Sequence, residues 1–167
     1  MNSNLFKKIT IFVSVLVLIF FLDRISKIYI LQLALKSEGI NIYINQFLNF
    51  NLVWNKGIAF GLFSFEKSAI YNLITSIIVI INLIILYLAF IYKDIRAYFF
   101  IVILGGSLGN LFDRFYYGSV PDFIDINFKG YHWFIFNVSD IFITVGVICL
   151  IIAELLMNKK NIWLKKF

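Results

Sequence analysis

The sequence predicts an all-α membrane protein: four transmembrane helices, with a small extracytoplasmic β element between helices 1 and 2. Three observations lead there. Hydrophobic residues make up 62% of the 167-residue chain and charged residues only 14%, whereas a soluble domain holds roughly 45–50% and about 25%. A compact fold of this composition would leave large apolar areas in water, which soluble monomers avoid. Disorder is excluded for the opposite reason, since apolar surface is abundant. Second, four apolar stretches are long enough to matter. Third, the 9 Asp+Glu residues tend to gather near the ends of those stretches. A single cysteine, Cys149, and a single histidine, His132, exclude a disulfide framework, cysteine-based zinc sites and most imidazole-rich metal chemistry.

The first stretch runs from Ile9 to Leu22, stops at Asp23-Arg24 and resumes through Leu31. Lys7 and Lys8 before it imitate a secretory signal, but charges stand where a small-residue cleavage site belongs. An uncleaved helix is expected. The second stretch, Ala69 to Tyr92, is 24 residues without a charge and suffices to cross a bilayer. The third, Ala97 to Phe112, precedes Asp113-Arg114, and the fourth opens at Val138, with Asp140 near its start and Glu154 near its end. One integral membrane domain follows, with spans at about 9–31, 69–92, 97–116 and 138–157 and external loops at about 32–68 and 117–137. The first loop is too long for a plain connection. Its Ile40 to Asn45 and Asn49 to Asn55 alternate apolar with Asn, the period of a half-buried strand, and Asn55-Lys56-Gly57 ends the pattern as a turn.

Orientation follows from the basic residues. The two tails and the loop between spans two and three hold eight basic and two acidic residues, a net of +6; the other side holds seven of each. Both termini are therefore expected to be cytoplasmic. The basic excess is a topological label and calls for no nucleic acid. Asp23 stands about 21 Å along the first span at 1.5 Å per residue, and Asp113 comes after a similar distance along the third. Ionisable groups at such depth are costly unless paired or facing a polar cavity, and they point to function.

The densest polar cluster is Gly105-Gly106-Ser107-Leu108-Gly109-Asn110-Leu111-Phe112-Asp113-Arg114. Glycines four apart admit a neighbouring helix, while Asn110 and Arg114 share one face. The bland alternative for Arg114 is a side chain reaching to the interface. Asp122 follows Pro121, so its segment is extended, and Asp125 should face the other way, towards water. Asn137 and Asp140 have the spacing of a capping box. They also allow Asp122 and Asp140 to share a cavity, where two carboxylates split their pKa values and one takes a proton from water while the other polarises a carbonyl. Gly105 to Gly109 formally matches G-x-S-x-G, but inside a membrane helix that pattern lacks its strand–turn–helix context.

At these residues the sequence resembles lipoprotein signal peptidase (signal peptidase II), the membrane aspartic protease of bacteria. Asp23-Arg24-Ile25-Ser26-Lys27 looks like the family's D-x-x-S-K, and Asn55-Lys56-Gly57-Ile58-Ala59-Phe60-Gly61 is similar to N-x-G-x-A-F-G. Gly106 to Arg114 matches G-x-x-G-N-x-x-D-R, Val120 to Ile124 matches V-x-D-F-[IL], and Phe136 to Asp140 matches F-N-x-A-D except for Ser139 in place of Ala. Where the family often has Ser, this chain has Ile141. The resemblance implies a catalytic dyad of Asp122 and Asp140, and a substrate and inhibitor pocket lined by Asn55, Gly57, Asn110, Arg114 and Asn137. It implies positioning roles for Asp23, Lys27 and Asp113. The implied reaction removes the signal peptide of a diacylglyceryl-modified prolipoprotein, on the N-terminal side of the lipidated cysteine. No metal or organic cofactor is implied, the chain is expected to be monomeric, and the cyclic peptide globomycin is the expected inhibitor. The competing reading is a small transport or channel subunit using the outer carboxylates. It requires a file of polar residues continuing inward, which spans two and four do not supply.

Overall fold

A computed structural model describes residues 3–36, 41–57, 68–128 and 131–164. The elements run α1 (Ser3–Lys36), β1 (Asn41–Asn45), β2 (Leu48–Asn55), α2 (Ser68–Ile91), α3 (Arg96–Tyr117), β3 (Val120–Phe128), β4 (Tyr131–Phe136) and α4 (Val138–Leu164). Of these, α1, α2 and the Val138–Met157 part of α4 are long and apolar enough to cross a membrane. Their outward residues include Leu18, Ile25, Leu73, Leu83 and Leu155, all well exposed. Helices with apolar residues on every side belong in lipid or in a large core.

The third helix has another character. Its glycines, Ser107, Asn110, Asp113 and Arg114 lower its apolarity, and it packs against each of the other three helices. It is the central post, with half of its residues buried. Small residues make that possible. A Cβ on Gly105 would sit 3.1 Å from the Ile19 side chain of α1, and one on Gly106 would sit 2.5 Å from the Ser139 carbonyl of α4. From the other side, a Cβ on Gly146 of α4 would lie 2.6 Å from Ile103. α3 ends at Gly118, whose φ of 68° is the left-handed conformation that closes a helix.

Four strands form one antiparallel sheet in the order β1-β2-β3-β4. The β element is thus larger than expected: the segment between α3 and α4 supplies half of it. β3 is buried at nearly every position of its first half, so only its second half shows the alternation by which a half-exposed strand is read from sequence. Conversely, β1 has the alternation but is exposed at all five positions. Asp125, expected to face water, is 1% exposed. It does lie an odd number of residues from Asp122, and so on the other face of β3, where its cross-strand neighbours are Asn49 of β2 and Ile135 of β4.

Two apolar clusters hold the molecule together. Phe12, Ala89, Ala97, Phe100, Ile101 and Leu104 join α1, α2 and α3 at one end of the bundle. Ile30 and Phe123, with Leu33, Phe50 and Val138 around them, seat the sheet on the far end of α1. The polar residues lie between these clusters.

Candidate active site

The register of β2 against β3 pairs Val53 with Asp122 and Asn55 with Val120. This brings the last side chain of β2 onto a carboxylate. Asn55 Nδ2 donates to Asp122 Oδ2 at 2.9 Å, and Asn55 Oδ1 accepts the Gly57 N–H at 2.8 Å. The second contact is the Asx turn that the Asn-Lys-Gly sequence foretells; Ile58 to Gly61 of that motif lie outside the described residues. The other oxygen of Asp122 accepts from Asn137 Nδ2 at 2.5 Å.

Asn137 opens α4 and joins both acids. Its Oδ1 accepts the Asp140 N–H at 3.2 Å, while the Asn137 N–H donates to Asp140 Oδ2 at 3.1 Å. This reciprocal pair is a capping box, so the structural role anticipated for Asp140 is present. It leaves Oδ1 for other partners, and Asn110 Nδ2 donates to it at 2.8 Å. Each aspartate therefore has an amide donor on both oxygens.

Asp122 and Asp140 open onto one cavity of about 140 Å³, whose walls include Asn55, Asn110, Arg114 and Ser107. Gly57 and Asn137, expected among those walls, stand behind them. Asn137 is fully buried because its amide is spent on the two acids. Gly57 has no side chain to present, and its carbonyl accepts from Arg114 Nη2 at 2.8 Å. Arg114 is itself buried, 7% exposed: it ties the β2 turn to α3 rather than reaching for the interface. Burial, and then the negative charge of Asp140, push the Asp122 carboxyl up to about 6, against the pull of the Asn55 and Asn137 amides.

Beneath the cavity lies a quartet of charges. Lys27 Nζ is 2.9 Å from Asp23 and 2.6 Å from Asp113 Oδ2, and donates to Asn110 Oδ1 at 2.9 Å. These partners account for all three of its N–H groups. Arg24 sits 2.8 Å from Asp23 and 2.6 Å from Asp113, with its guanidinium 4.8 Å from the Phe112 ring. Asp23 Oδ1 also accepts the Ser139 N–H at 3.0 Å, beside Asp140. Two cations and two anions thus balance in the interior, as buried charges must. The quartet has a consequence for the cavity. Because Lys27 binds the oxygen of the Asn110 amide, the nitrogen must point at Asp140.

Sequence reasoning named Asp23, Lys27 and Asp113 but passed over Arg24. Neighbours in a helix do not face each other, so nothing in the spacing put Arg24 with Asp23. The length of its side chain does so. The departure at Ser139 also acquires a cost: Ser139 Oγ is buried and has no hydrogen-bond partner among the described residues.

The family model described as signal peptidase (SPase) II matches residues 15–156. The chain belongs to the signal peptidase II family. Among the family's curated members, the lipoprotein signal peptidase of Pelagibacter ubique (strain HTCC1062) is 49% identical over 161 residues, covering 96% of this chain and 97% of that one. The lipoprotein signal peptidase of Anaplasma marginale (strain Florida) is 35% identical, over 87% of this chain and 84% of its own. A solved structure described as a bacterial membrane enzyme, at 2.3 Å resolution, matches with a TM-score of 0.67 and 30% identity, over 92% of each chain.

Proposed function

We propose that this chain is an intramembrane aspartic endopeptidase, which cleaves the signal peptide from diacylglyceryl-modified prolipoproteins just before the lipidated cysteine. The observation that carries this reading is the pair Asp122 and Asp140, set on one small cavity and bridged by the single amide of Asn137. Two carboxylates held this way share a proton, because both cannot ionise easily at close range. A water between them gives a proton to the ionised member as its oxygen attacks the scissile carbonyl carbon. The protonated member gives its proton to the carbonyl oxygen. Collapse of the resulting diol breaks the C–N bond, with a proton passing to the leaving amine of the lipidated cysteine. Arg114 and Asn110 supply donors on the cavity wall for the substrate backbone, and Asp23, Lys27 and Asp113 hold that wall in place.

A site at the junction of sheet and helices suits a substrate whose apolar signal segment and acyl chains already lie in lipid. In this reading the chain spans the inner membrane four times, with both termini cytoplasmic, the sheet outside and no cofactor, and it works as a monomer. α3 crosses as the shielded centre of the bundle. The test is incubation of purified protein with a prolipoprotein in its diacylglyceryl-modified and unmodified forms, read by gel shift. Cleavage of the modified form alone, blocked by globomycin, supports the proposal; no cleavage of either form refutes it.

A further inference from the structure

At the end of the bundle far from the aspartates, α1 and α3 and the turn between α2 and α3 enclose a second cavity, of about 390 Å³. Lys7, Lys8 and Lys93 line it, with the amide of Asn4 and with Tyr98. Lys8 is built into the wall. Its Nζ donates to the carbonyls of Ala89 at 3.0 Å and Tyr92 at 2.9 Å, at the C-terminal end of α2, and lies 5.0 Å from the Phe12 ring. A cation is favoured at that end of a helix, and one N–H remains to point elsewhere.

The one acid among the residues lining this cavity is already occupied. Arg96 donates from Nε and Nη2 to the two oxygens of Asp94, at 2.9 and 2.7 Å, and from Nη1 to Glu154 at 2.5 Å. One arginine thus consumes both acids of this end. Lys7 and Lys93 are exposed, and neither has a hydrogen bond or ion pair among the described residues. Three ammonium groups therefore border one polar cavity, against the single net negative charge that Asp94 and Glu154 keep after pairing with Arg96. Their summed potential attracts an anion, and lysine is a common point-charge partner of phosphate. Basic pockets between helix ends are a known setting for lipid head groups.

We propose that this cavity binds a phosphate group, carried by an anionic phospholipid of the adjoining leaflet or free in solution. The proposal stands apart from the peptidase reading. Full-length protein is placed in nanodiscs of equimolar phosphatidylglycerol and phosphatidylcholine, and the lipid it retains is identified by native mass spectrometry. Separately, the protein in neutral detergent is titrated with inorganic phosphate by calorimetry. For a lipid ligand, phosphatidylglycerol is retained in about tenfold preference, and the preference is lost in a Lys7→Ala/Lys93→Ala variant. It survives in Lys7→Arg/Lys93→Arg and in Lys36→Ala, at the other end of α1. For a free anion, the lipid preference is absent and saturable phosphate binding shows the same lysine dependence. Unchanged thermal unfolding of the alanine variant certifies its fold. No lysine-dependent binding of either probe overturns the proposal, as does a lipid preference that the double alanine variant retains.

Discussion

Asp122 and Asp140 each accept two N–H bonds. Burial and its partner's charge push Asp122 up to about 6. A carboxyl with a raised pKa keeps its proton to higher pH, so the singly protonated pair persists up to that region and is lost above it; the inflection belongs to the pair. Asn55 stabilises the charged form of Asp122. Removing it in Asn55→Ala should therefore move the alkaline limb of kcat/KM upward, and a normalised pH profile reads this directly. A downward shift would show that Asn55 acts otherwise. Ser139 gives a second test at this scale. Its buried hydroxyl has no partner among the described residues, and leaving such a group unpaired costs about 1–3 kcal/mol. Ser139→Ala should therefore raise the thermal midpoint in detergent and leave cleavage intact; a fall would mean that the hydroxyl has a partner. Asp122 and Asp140 were named through the motif blocks of the family resemblance, whereas Asp23 and Asp113 stood out because ionisable groups at membrane depth are rare. Arg24 could not be picked out, since its pairing depends on side-chain reach across two helices.

The elements were legible in proportion to how simply each one meets its surroundings. The uniformly apolar α2 and α4 announce themselves, and expected and observed starts agree within a residue or so: Ala69 against Ser68, and Val138 in both. α1 continues past Asp23, as the expected span at about 9–31 requires, because the quartet satisfies its charges internally; the pairing itself is what no local pattern reveals. β3 was anticipated only as an extended segment around Asp122, because a strand buried on both faces does not alternate, and Asp125 was misplaced for the same reason. The glycines of α3 were legible as contact points but not as to which helix each one meets. That difference is measurable. Gly105→Ala would press only on the Ile19 side chain at 3.1 Å, whereas Gly106→Ala would strike the Ser139 backbone carbonyl at 2.5 Å. Overpacking of this kind costs about 1–3 kcal/mol. Gly106→Ala should therefore lower the thermal midpoint and activity well below Gly105→Ala, because it levers Asp140 away from Asn110. Equal effects would contradict the packing described for α3.

For the whole molecule, charge and chemistry divide between two ends. One end holds the sheet, the quartet and the aspartates; the other holds the lysines around Lys8 and the Arg96 cluster. The +6 carried by the tails and the α2–α3 turn predicts that this second end is cytoplasmic. Reporter fusions after Phe167 and between Lys36 and Asn41 should then report opposite compartments, and a shared compartment would rule out an even number of crossings that places the sheet outside.

The activity itself is tested most directly by measuring cleavage of lipidated prolipoprotein by Asp122→Asn, Asp140→Asn and the double variant at matched membrane expression. Asp94→Asn, at the far end, serves as the control. Groups that act as a unit are non-additive, so each single substitution should cost roughly ten-thousand-fold or more and the double variant should be scarcely worse. If Asp140 served only to cap α4, its replacement by Asn would cost at most about 0.5–2 kcal/mol of stability and turnover would continue. Substantial cleavage by Asp140→Asn or by Asp122→Asn, beside a normal control, would contradict the dyad.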